Sequence, residues 1–235
     1  MGRVVAVSGG YFDACPRIHM HAVTLSGKKS PNVLFIGTAG HDLEESTDEM
    51  VRDYGTIGCE VKDLSLVTKS CKDEEIDSLL AWADIIFVGG GDTGFMMQTW
   101  KEYGLDKKLK AVYESDSAVL TGVSAGAICW FSCGYSDSEF YPRNEWGYCF
   151  AEGMLDIFHM TFCPHYNNIG RRSFDLMMAE KDVPGLAMED YTAFVENNGD
   201  RYFIRETENQ HAYVIRCENG VMDKREVEFR DNFDT

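Results

Sequence analysis

Basic residues are scarce in this chain of 235 residues, in which 22 lysines and arginines face 39 aspartates and glutamates. The formal net charge is −17 at pH 7 and the pI is near 4.7. A protein this acidic repels the phosphates of nucleic acids and the headgroups of anionic lipids. Long apolar runs are missing too, and none approaches the ~20 residues of a membrane-spanning helix. The composition therefore argues against nucleic-acid and membrane roles.

Cysteine pairs of the Cys-x-x-Cys kind are also absent, although the chain has eight cysteines. Cys129 and Cys133 lie four residues apart but have no matching second pair, which disfavours a zinc site. The N-terminal segment has a single arginine and a short apolar run that ends at Gly9-Gly10, a pattern typical of a strand and not of a secretory signal. We therefore expect a cytoplasmic protein with reduced, mostly buried thiols and no metal.

Short apolar runs alternate with longer amphipathic segments along the first half of the chain. The predicted strands are Arg3–Ser8, Asn32–Thr38, Glu60–Leu66, Asp84–Gly89 and Ala118–Val123, and the predicted helices are Leu43–Tyr54, Asp73–Trp82, Gly94–Tyr103 and Leu105–Ser115. Several of these strands are continuous in Val, Ile, Leu and Phe, as in a parallel sheet that is buried on both faces. The pattern predicts one α/β domain over residues 1–235, a three-layer α/β/α sandwich with a mostly parallel sheet.

The last third of the chain has a different pattern. A predicted helix at about 171–181 precedes four short predicted strands, which are Gly185–Glu189, Thr192–Glu196, Arg201–Arg205 and Ala212–Cys217. Turn residues such as Asn198-Gly199 and Asn219-Gly220 separate or follow them. This spacing predicts antiparallel strands with hairpins at the C-terminal edge of the sheet.

The sharpest local signal is the pentapeptide Gly122-Val123-Ser124-Ala125-Gly126, between an apolar strand and a predicted helix. This G-x-S-x-G pattern is typical of a nucleophile elbow, in which the turn is so tight that the residues two before and two after the serine must be small. The helix that follows directs its free N–H groups and the positive end of its dipole toward the same place. The sequence therefore predicts Ser124 as a nucleophile, although such a serine could instead merely cap the helix.

A serine nucleophile needs a base, and His165 is the candidate. It follows the apolar run Leu155–Phe162, and Pro164 fixes the direction of the chain as that run ends. A loop at this place would direct an imidazole toward the elbow. We expect His19 and His21, in an early segment, to lie on the surface of a helix.

An acid must orient the imidazole through its second ring nitrogen. Glu189 and Asp190 stand at the end of the predicted strand Gly185–Glu189, whereas Asp137 and Glu139 lie in a serine-rich loop. An acid at the end of a strand is held more rigidly, so we favour Glu189, with Asp190, Asp137 and Glu139 as further candidates.

A second glycine-rich segment runs from Gly89 to Gly94 and formally matches the dinucleotide-binding pattern G-x-G-x-x-G. However, it follows the fourth predicted strand and not the first, and Glu114 precedes the next strand where a ribose-binding acid should end one. A better interpretation is that this segment forms a loop beside Ser124. Because glycines have no side chains, the backbone N–H groups of such a loop are accessible to a ligand at Ser124. We predict that the amides of Gly91 and Ala125 form an oxyanion hole and that no organic cofactor is needed.

Together these segments resemble the S51 serine peptidases, the family that contains dipeptidase E (the aspartyl dipeptidase) and the cyanophycinases. The resemblance is carried, in this order, by FVGGGDTGF, GVSAGAICWF, FCPHYN with its following arginine pair, and LAMEDYTAFV. It implies a fold similar to that of class I glutamine amidotransferases, with Ser124 as nucleophile, His165 as base and Glu189 as acid. It also implies that Arg171 or Arg172 reads an acidic substrate side chain, and we add Asp92 as a candidate substrate-binding residue.

The resulting expectation is a cytoplasmic serine dipeptidase that acts on small peptides, with N-terminal aspartate as a candidate preference, as a monomer or homodimer. A second hypothesis is a cyanophycinase-like hydrolase or an amidase with the same triad. A third is a non-catalytic ligand-binding protein with a vestigial elbow.

Overall fold

The computed structural model describes residues 2–218 and 220–233, so Asn219 of the last predicted turn lies outside the described residues. The strands are β1 (Arg3–Val7), β2 (Asn32–Ile36), β3 (Glu60–Asp63), β4 (Ile85–Val88), β5 (Val119–Val123), β6 (Phe131–Ser136), β7 (Cys149–Glu152), β8 (Phe158–Cys163), β9 (Gly185–Met188), β10 (Thr192–Asn197), β11 (Asp200–Arg205), β12 (Ala212–Glu218) and β13 (Val221–Glu226). The α-helices are α1 (Pro16–Ser26), α2 (Glu44–Gly55), α3 (Asp73–Trp82), α4 (Thr93–Tyr103), α5 (Leu105–Ser115), α6 (Ala125–Ile128) and α7 (Phe174–Met177).

The first sheet has the strand order β11-β10-β1-β5-β4-β2-β3. Its five strands from β1 to β3 pair in parallel, whereas β10 pairs antiparallel with β1 and β11 antiparallel with β10. The predicted α/β class, the mostly parallel sheet and the hairpin at its edge are confirmed.

Helices cover both faces of this sheet. Successive side chains of a strand point to opposite sides, and in β1 the side chains on both sides are buried. Val4 and Ala6 of β1 belong to the cluster that holds the buried hydrophobic residues of α3, α4 and α5. Val5 and Val7 belong to another cluster, with the buried hydrophobic residues of α1 and α2. The longest of the described helices, α2, has 12 residues, and none of them has the length and apolar character that a bilayer span requires.

A second sheet, which the sequence did not predict, has the order β13-β12-β9-β8-β6-β7. It takes β9 and β12, which we had expected at the edge of the first sheet. The rings of Phe131 and Phe162 stack at a centroid distance of 4.5 Å, and both belong to the same core cluster as Val4 and Ala6 of the first sheet. This buried apolar surface holds the two sheets together.

Two expectations about helices are wrong. The predicted helix near 171–181 is only the four residues of α7, flanked by 3₁₀ turns at Ile169–Ser173 and Met178–Glu180. His19 and His21 are 1% and 6% exposed and face inward from α1. The rings of Phe12, Tyr54 and Phe87 surround His19 and supply an aromatic surrounding for an imidazole.

Candidate active site

Ser124 lies at the turn between β5 and α6, with φ 55° and ψ −114°. Residues other than glycine rarely adopt this backbone conformation, and it persists only where the surrounding structure imposes it. The two flanking glycines show why the turn is possible. A Cβ atom at Gly122 would lie 2.3 Å from the Gly126 carbonyl oxygen, and one at Gly126 would lie 2.2 Å from the Val88 carbonyl oxygen. The small residues of the pentapeptide are therefore required by contacts with main-chain atoms.

His165 reaches Ser124 from the loop after β8. Its Nε2 lies 2.8 Å from Ser124 Oγ, a distance at which the hydroxyl donates a hydrogen bond to the ring. The backbone of His165 has φ 55°, and its N–H donates to Ser8 Oγ at 2.9 Å. Ser8 in turn donates to the Met188 carbonyl oxygen at 2.7 Å. This buried serine, directly after β1, thus ties the loops of the second sheet to the first.

Asp190 holds the other side of the imidazole. Its Oδ1 lies 2.5 Å from His165 Nδ1, so that Nδ1 carries the ring proton and Nε2 is free to accept. Asn167 forms two hydrogen bonds with Asp190. Its Nδ2 donates to Asp190 Oδ2 at 3.0 Å, and its Oδ1 accepts from the Asp190 N–H at 3.1 Å. Burial by itself raises the pKa of Asp190, but the hydrogen bond and charge of His165, with the Asn167 hydrogen bond, outweigh it and leave the pKa below its usual value.

Glu189, the acid that the sequence favoured, lies elsewhere. Its carboxylate accepts from the His211 N–H at 3.0 Å, and its own N–H donates to the His211 carbonyl oxygen at 3.0 Å. Neighbouring residues at the end of a strand point to opposite sides, so a shift of one position exchanges the acid at the imidazole. The two acids of the serine-rich loop do not reach the imidazole either, because Asp137 pairs with Arg171 and the side chain of Glu139 is 82% exposed.

Gly9 is a site residue that the sequence analysis missed. A Cβ atom there would lie 1.9 Å from Asp190 Oδ1 and 2.7 Å from His165 Nδ1. Only a glycine lets the chain that leaves β1 pass directly behind this pair. Ser8 and Asn167 were missed as well. The available signals were the Ser-Gly-Gly directly after a buried strand and the asparagine two residues after His165.

The glycine loop after β4 runs beside Ser124. A Cβ atom at Gly90 would lie 3.4 Å from Ser124 Cβ, and the Gly90 N–H donates to Tyr11 Oη at 3.1 Å. Gly91 has φ 139°, and a Cβ there would lie 2.1 Å from the Ala39 carbonyl oxygen, so this position also requires glycine. Within residues 2–218 and 220–233, the Gly91 and Ala125 amides donate no hydrogen bond.

Asp92 does not have the substrate-binding position that we expected. Its Oδ1 accepts from the Phe95 N–H at 3.0 Å and from Ser138 Oγ at 2.5 Å, and its Oδ2 accepts from the Glu139 N–H at 3.1 Å. Burial opposes ionisation, but these hydrogen bonds outweigh it and lower the pKa of Asp92. Asp92 therefore caps α4 and fastens the segment after β6 to it.

Arg171 is likewise unavailable to a substrate. It is 3% exposed, donates to the Tyr135 carbonyl oxygen and to Asp137 Oδ1, the latter at 3.1 Å, and lies 4.5 Å from the centre of the Tyr148 ring. The guanidinium is thus held by the protein itself. Arg172, the next residue, is exposed.

Comparison with known proteins places these features in a family. The model of peptidase family S51 matches residues 4–204. An uncharacterized peptidase of Bacillus subtilis (strain 168), YgaJ, is 31% identical over 170 residues, which cover 71% of this chain and 70% of the relative. The crystal structure of a peptidase from an acI-B1 actinobacterium superposes with a TM-score of 0.73 at 17% identity, over 98% of this chain and 96% of the other. A protein assigned as peptidase E from Listeria monocytogenes EGD-e superposes with a TM-score of 0.66 at 20% identity, over 87% and 98% of the two chains.

Proposed function

The chain belongs to peptidase family S51, and on this basis we propose that it is a serine peptidase that hydrolyses small peptides through Ser124, His165 and Asp190. The observation that carries this proposal is the unbroken line of contacts from Asp190 Oδ1 through His165 to Ser124 Oγ, with lengths of 2.5 and 2.8 Å. A nucleophile, a base and an orienting carboxylate in this relation are the parts that acyl transfer needs.

In the proposed reaction, His165 Nε2 takes the proton of Ser124 Oγ as that oxygen attacks the scissile carbonyl carbon. The imidazolium that forms is stabilised by Asp190, which stays ionised because its pKa is lowered. His165 then gives the proton to the leaving amine when the C–N bond breaks. Water attacks the acyl-enzyme with His165 again as base, which releases the second product and restores Ser124.

We assign the oxyanion hole to the amides of Gly91 and Ala125. Ala125 is the first residue of α6, and Gly91 follows Gly90, whose Cβ position lies 3.4 Å from Ser124 Cβ. Neither amide donates a hydrogen bond to another described residue. Amide donors placed in advance of the reaction stabilise the charge that develops on the carbonyl oxygen, and one such donor contributes about 3 kcal/mol.

We further propose that the substrates are dipeptides and other short peptides, with no requirement for an N-terminal aspartate. The support is the position of Arg171, whose charge is already paired with Asp137 and whose guanidinium is buried. A negatively charged substrate side chain would also approach a protein of net charge −17, with only the exposed Arg172 of the predicted pair left to receive it.

Hydrolysis of a dipeptide library that contains Asp-X members tests this function, with amides and a β-linked aspartyl-arginine polymer as further substrates. We expect cleavage of neutral dipeptides at least as fast as of Asp-X. Ser124→Ala should lower kcat about 10⁴-fold or more while the fold is kept. Ser117→Ala is the matched control, because this exposed serine precedes the opposite end of the same strand.

Three outcomes would overturn parts of the proposal. Substantial activity in Ser124→Ala would remove the nucleophile. Exclusive cleavage of the polymer or of simple amides would favour a cyanophycinase-like hydrolase or an amidase. Binding of peptides without any turnover by the wild type would favour a non-catalytic binding protein.

A further inference from the structure

Tyr11 stands beside the nucleophile but has no part in the reaction described so far. It follows Gly9 and Gly10 in the loop after β1, and its ring stacks on Phe87 at a centroid distance of 6.2 Å and an interplanar angle of 27°. Its hydroxyl oxygen accepts the hydrogen bond of the Gly90 N–H at 3.1 Å. The ring is thus supported from below by the core, while the hydroxyl is held by the glycine loop.

The hydroxyl lies close to Ser124. The position that a Cβ atom of Gly90 would take is 3.4 Å from Ser124 Cβ and 3.5 Å from Tyr11 Oη. Tyr11 Oη and Ser124 Cβ therefore both border the space in front of Gly90. A substrate carbonyl that is bonded to Ser124 and enters this space would meet the Tyr11 hydroxyl.

The phenol also has an unused proton. A tyrosine hydroxyl donates one hydrogen bond and can accept others, and here the Gly90 amide is the donor to it. Among the described residues, none accepts the Tyr11 proton. Burial raises the pKa of Tyr11, although the Gly90 hydrogen bond acts in the opposite direction, so the phenol stays protonated at neutral pH. At 36% exposure the side chain is open enough to meet a ligand.

We propose that Tyr11 is a further catalytic residue, whose hydroxyl donates a hydrogen bond to the substrate carbonyl oxygen as charge develops on it at Ser124. The Gly90 amide polarises this hydroxyl, because a hydrogen bond accepted by an oxygen strengthens the bond that the same group donates. The inference rests on the proposed serine peptidase reaction. It adds a third donor to the two amides and gives a function to the hydrogen bond from the Gly90 amide to Tyr11.

The main variant is Tyr11→Phe, which keeps the ring on Phe87 and removes only the hydroxyl. With the best dipeptide of the library, we expect kcat to fall about 100-fold with little change in KM, because the lost hydrogen bond is made in the transition state. Tyr103→Phe is the matched control and should behave as wild type, because Tyr103 is the last residue of α4, at the end away from the glycine loop.

A second experiment separates donation from mere support of the loop. Replacement of Tyr11 by 3,5-difluorotyrosine gives a phenol that ionises at a lower pH than the tyrosine does. The resulting phenolate still accepts the Gly90 hydrogen bond but has no proton to donate. A new loss of kcat as pH rises, absent from the wild type, is expected if donation matters, whereas a supporting role predicts no such loss.

The outcomes distinguish this inference from the one beneath it. If Ser124→Ala is inactive while Tyr11→Phe equals wild type, or if the fluorinated enzyme shows no new alkaline loss, Tyr11 is not a donor and the proposed function stands. If Tyr11→Phe is faster than wild type, the phenol occupies the place of the substrate oxygen and blocks it. If Ser124→Ala keeps full activity, both proposals fail.

Discussion

The first half of the site, Ser124 and the glycine loop, lies at the carboxyl ends of β5 and β4 in the middle of the first sheet. The second half, His165 and Asp190, comes from the loops after β8 and β9 of the second sheet. The first half is fixed by steric contacts, because the elbow and the glycine loop close only where Gly91, Gly122 and Gly126 lack a Cβ. The second half is fixed by hydrogen bonds, one from the His165 N–H to Ser8 Oγ and one from Asn167 Nδ2 to Asp190 Oδ2. The nucleophile is thus held by close main-chain contacts, whereas its base and acid depend on hydrogen bonds between separate segments of the chain.

Loss of the Asp190 carboxylate should impair the second half of the site most. Asp190→Asn should lower kcat about 10⁴-fold, because an amide in that place favours the wrong imidazole tautomer and leaves the imidazolium unpaired. Glu189→Gln is the matched control and should stay within a few-fold of wild type. Steady-state kinetics of both variants provide the measurement. If Glu189→Gln shows the larger loss, the acid has been assigned to the wrong residue.

Substitution of a glycine beside Ser124 should lower the free energy of unfolding. Gly126→Ala places a methyl group 2.2 Å from the Val88 carbonyl oxygen, which is main chain and cannot swing away. We expect about 3 kcal/mol less free energy of unfolding, measured with urea. Gly55→Ala, where a Cβ would meet nothing within 4 Å, should change it by less than about 1 kcal/mol. Equal effects of the two variants would mean that the elbow is not sterically determined.

His19 contacts the loop after β1, because its Nε2 forms a hydrogen bond with the Gly10 carbonyl oxygen at 3.1 Å. Burial lowers the pKa of His19 to about 4, against about 6.5 in an unfolded chain. Between these values only the unfolded state binds the proton, so this residue makes the protein less stable as pH falls from 7 to 4.5, by about 2 kcal/mol.

Urea unfolding at pH 7 and 4.5 checks this effect. The free energy of unfolding should change less between pH 7 and pH 4.5 in His19→Gln than in wild type. His159→Gln, which replaces an exposed histidine, should show nearly the same change as wild type. An unaltered difference in His19→Gln would show that His19 is not held neutral in the folded state.

The smallest effect is expected for loss of the two hydrogen bonds between Asn167 and Asp190. Asn167→Ala removes both hydrogen bonds to Asp190 but leaves the carboxylate in place. We expect kcat to fall about tenfold, as for groups that orient a ligand or base through a second contact. Asn168→Ala, which removes only the neighbouring cap of a 3₁₀ turn, serves as the control for kcat. A loss as large as that of Asp190→Asn would show that Asn167 does more than orient.

The same comparison explains what the sequence could predict. The elbow and the parallel sheet follow from local patterns, and the geometry brings together Ser124 and His165, the two residues that we named. Asp190 rather than Glu189 depends on which of two neighbours faces the imidazole, and a one-residue choice at a strand end is not visible in composition. Arg171 was misjudged because its partner, the Tyr135 carbonyl oxygen, is 36 residues away. The second sheet was missed because β6 and β8 pair in parallel with β7 between them in the chain, so no hairpin signal joins them.

The most direct test of the assignment is the site of reaction with a fluorophosphonate, located by peptide mapping in the mass spectrometer. We predict one phosphonyl group on Ser124, no labelling of Ser124→Ala, and labelling of Asp190→Asn that is slower by orders of magnitude. A protein that hydrolyses peptides yet carries the label on another residue, or carries none, would contradict it.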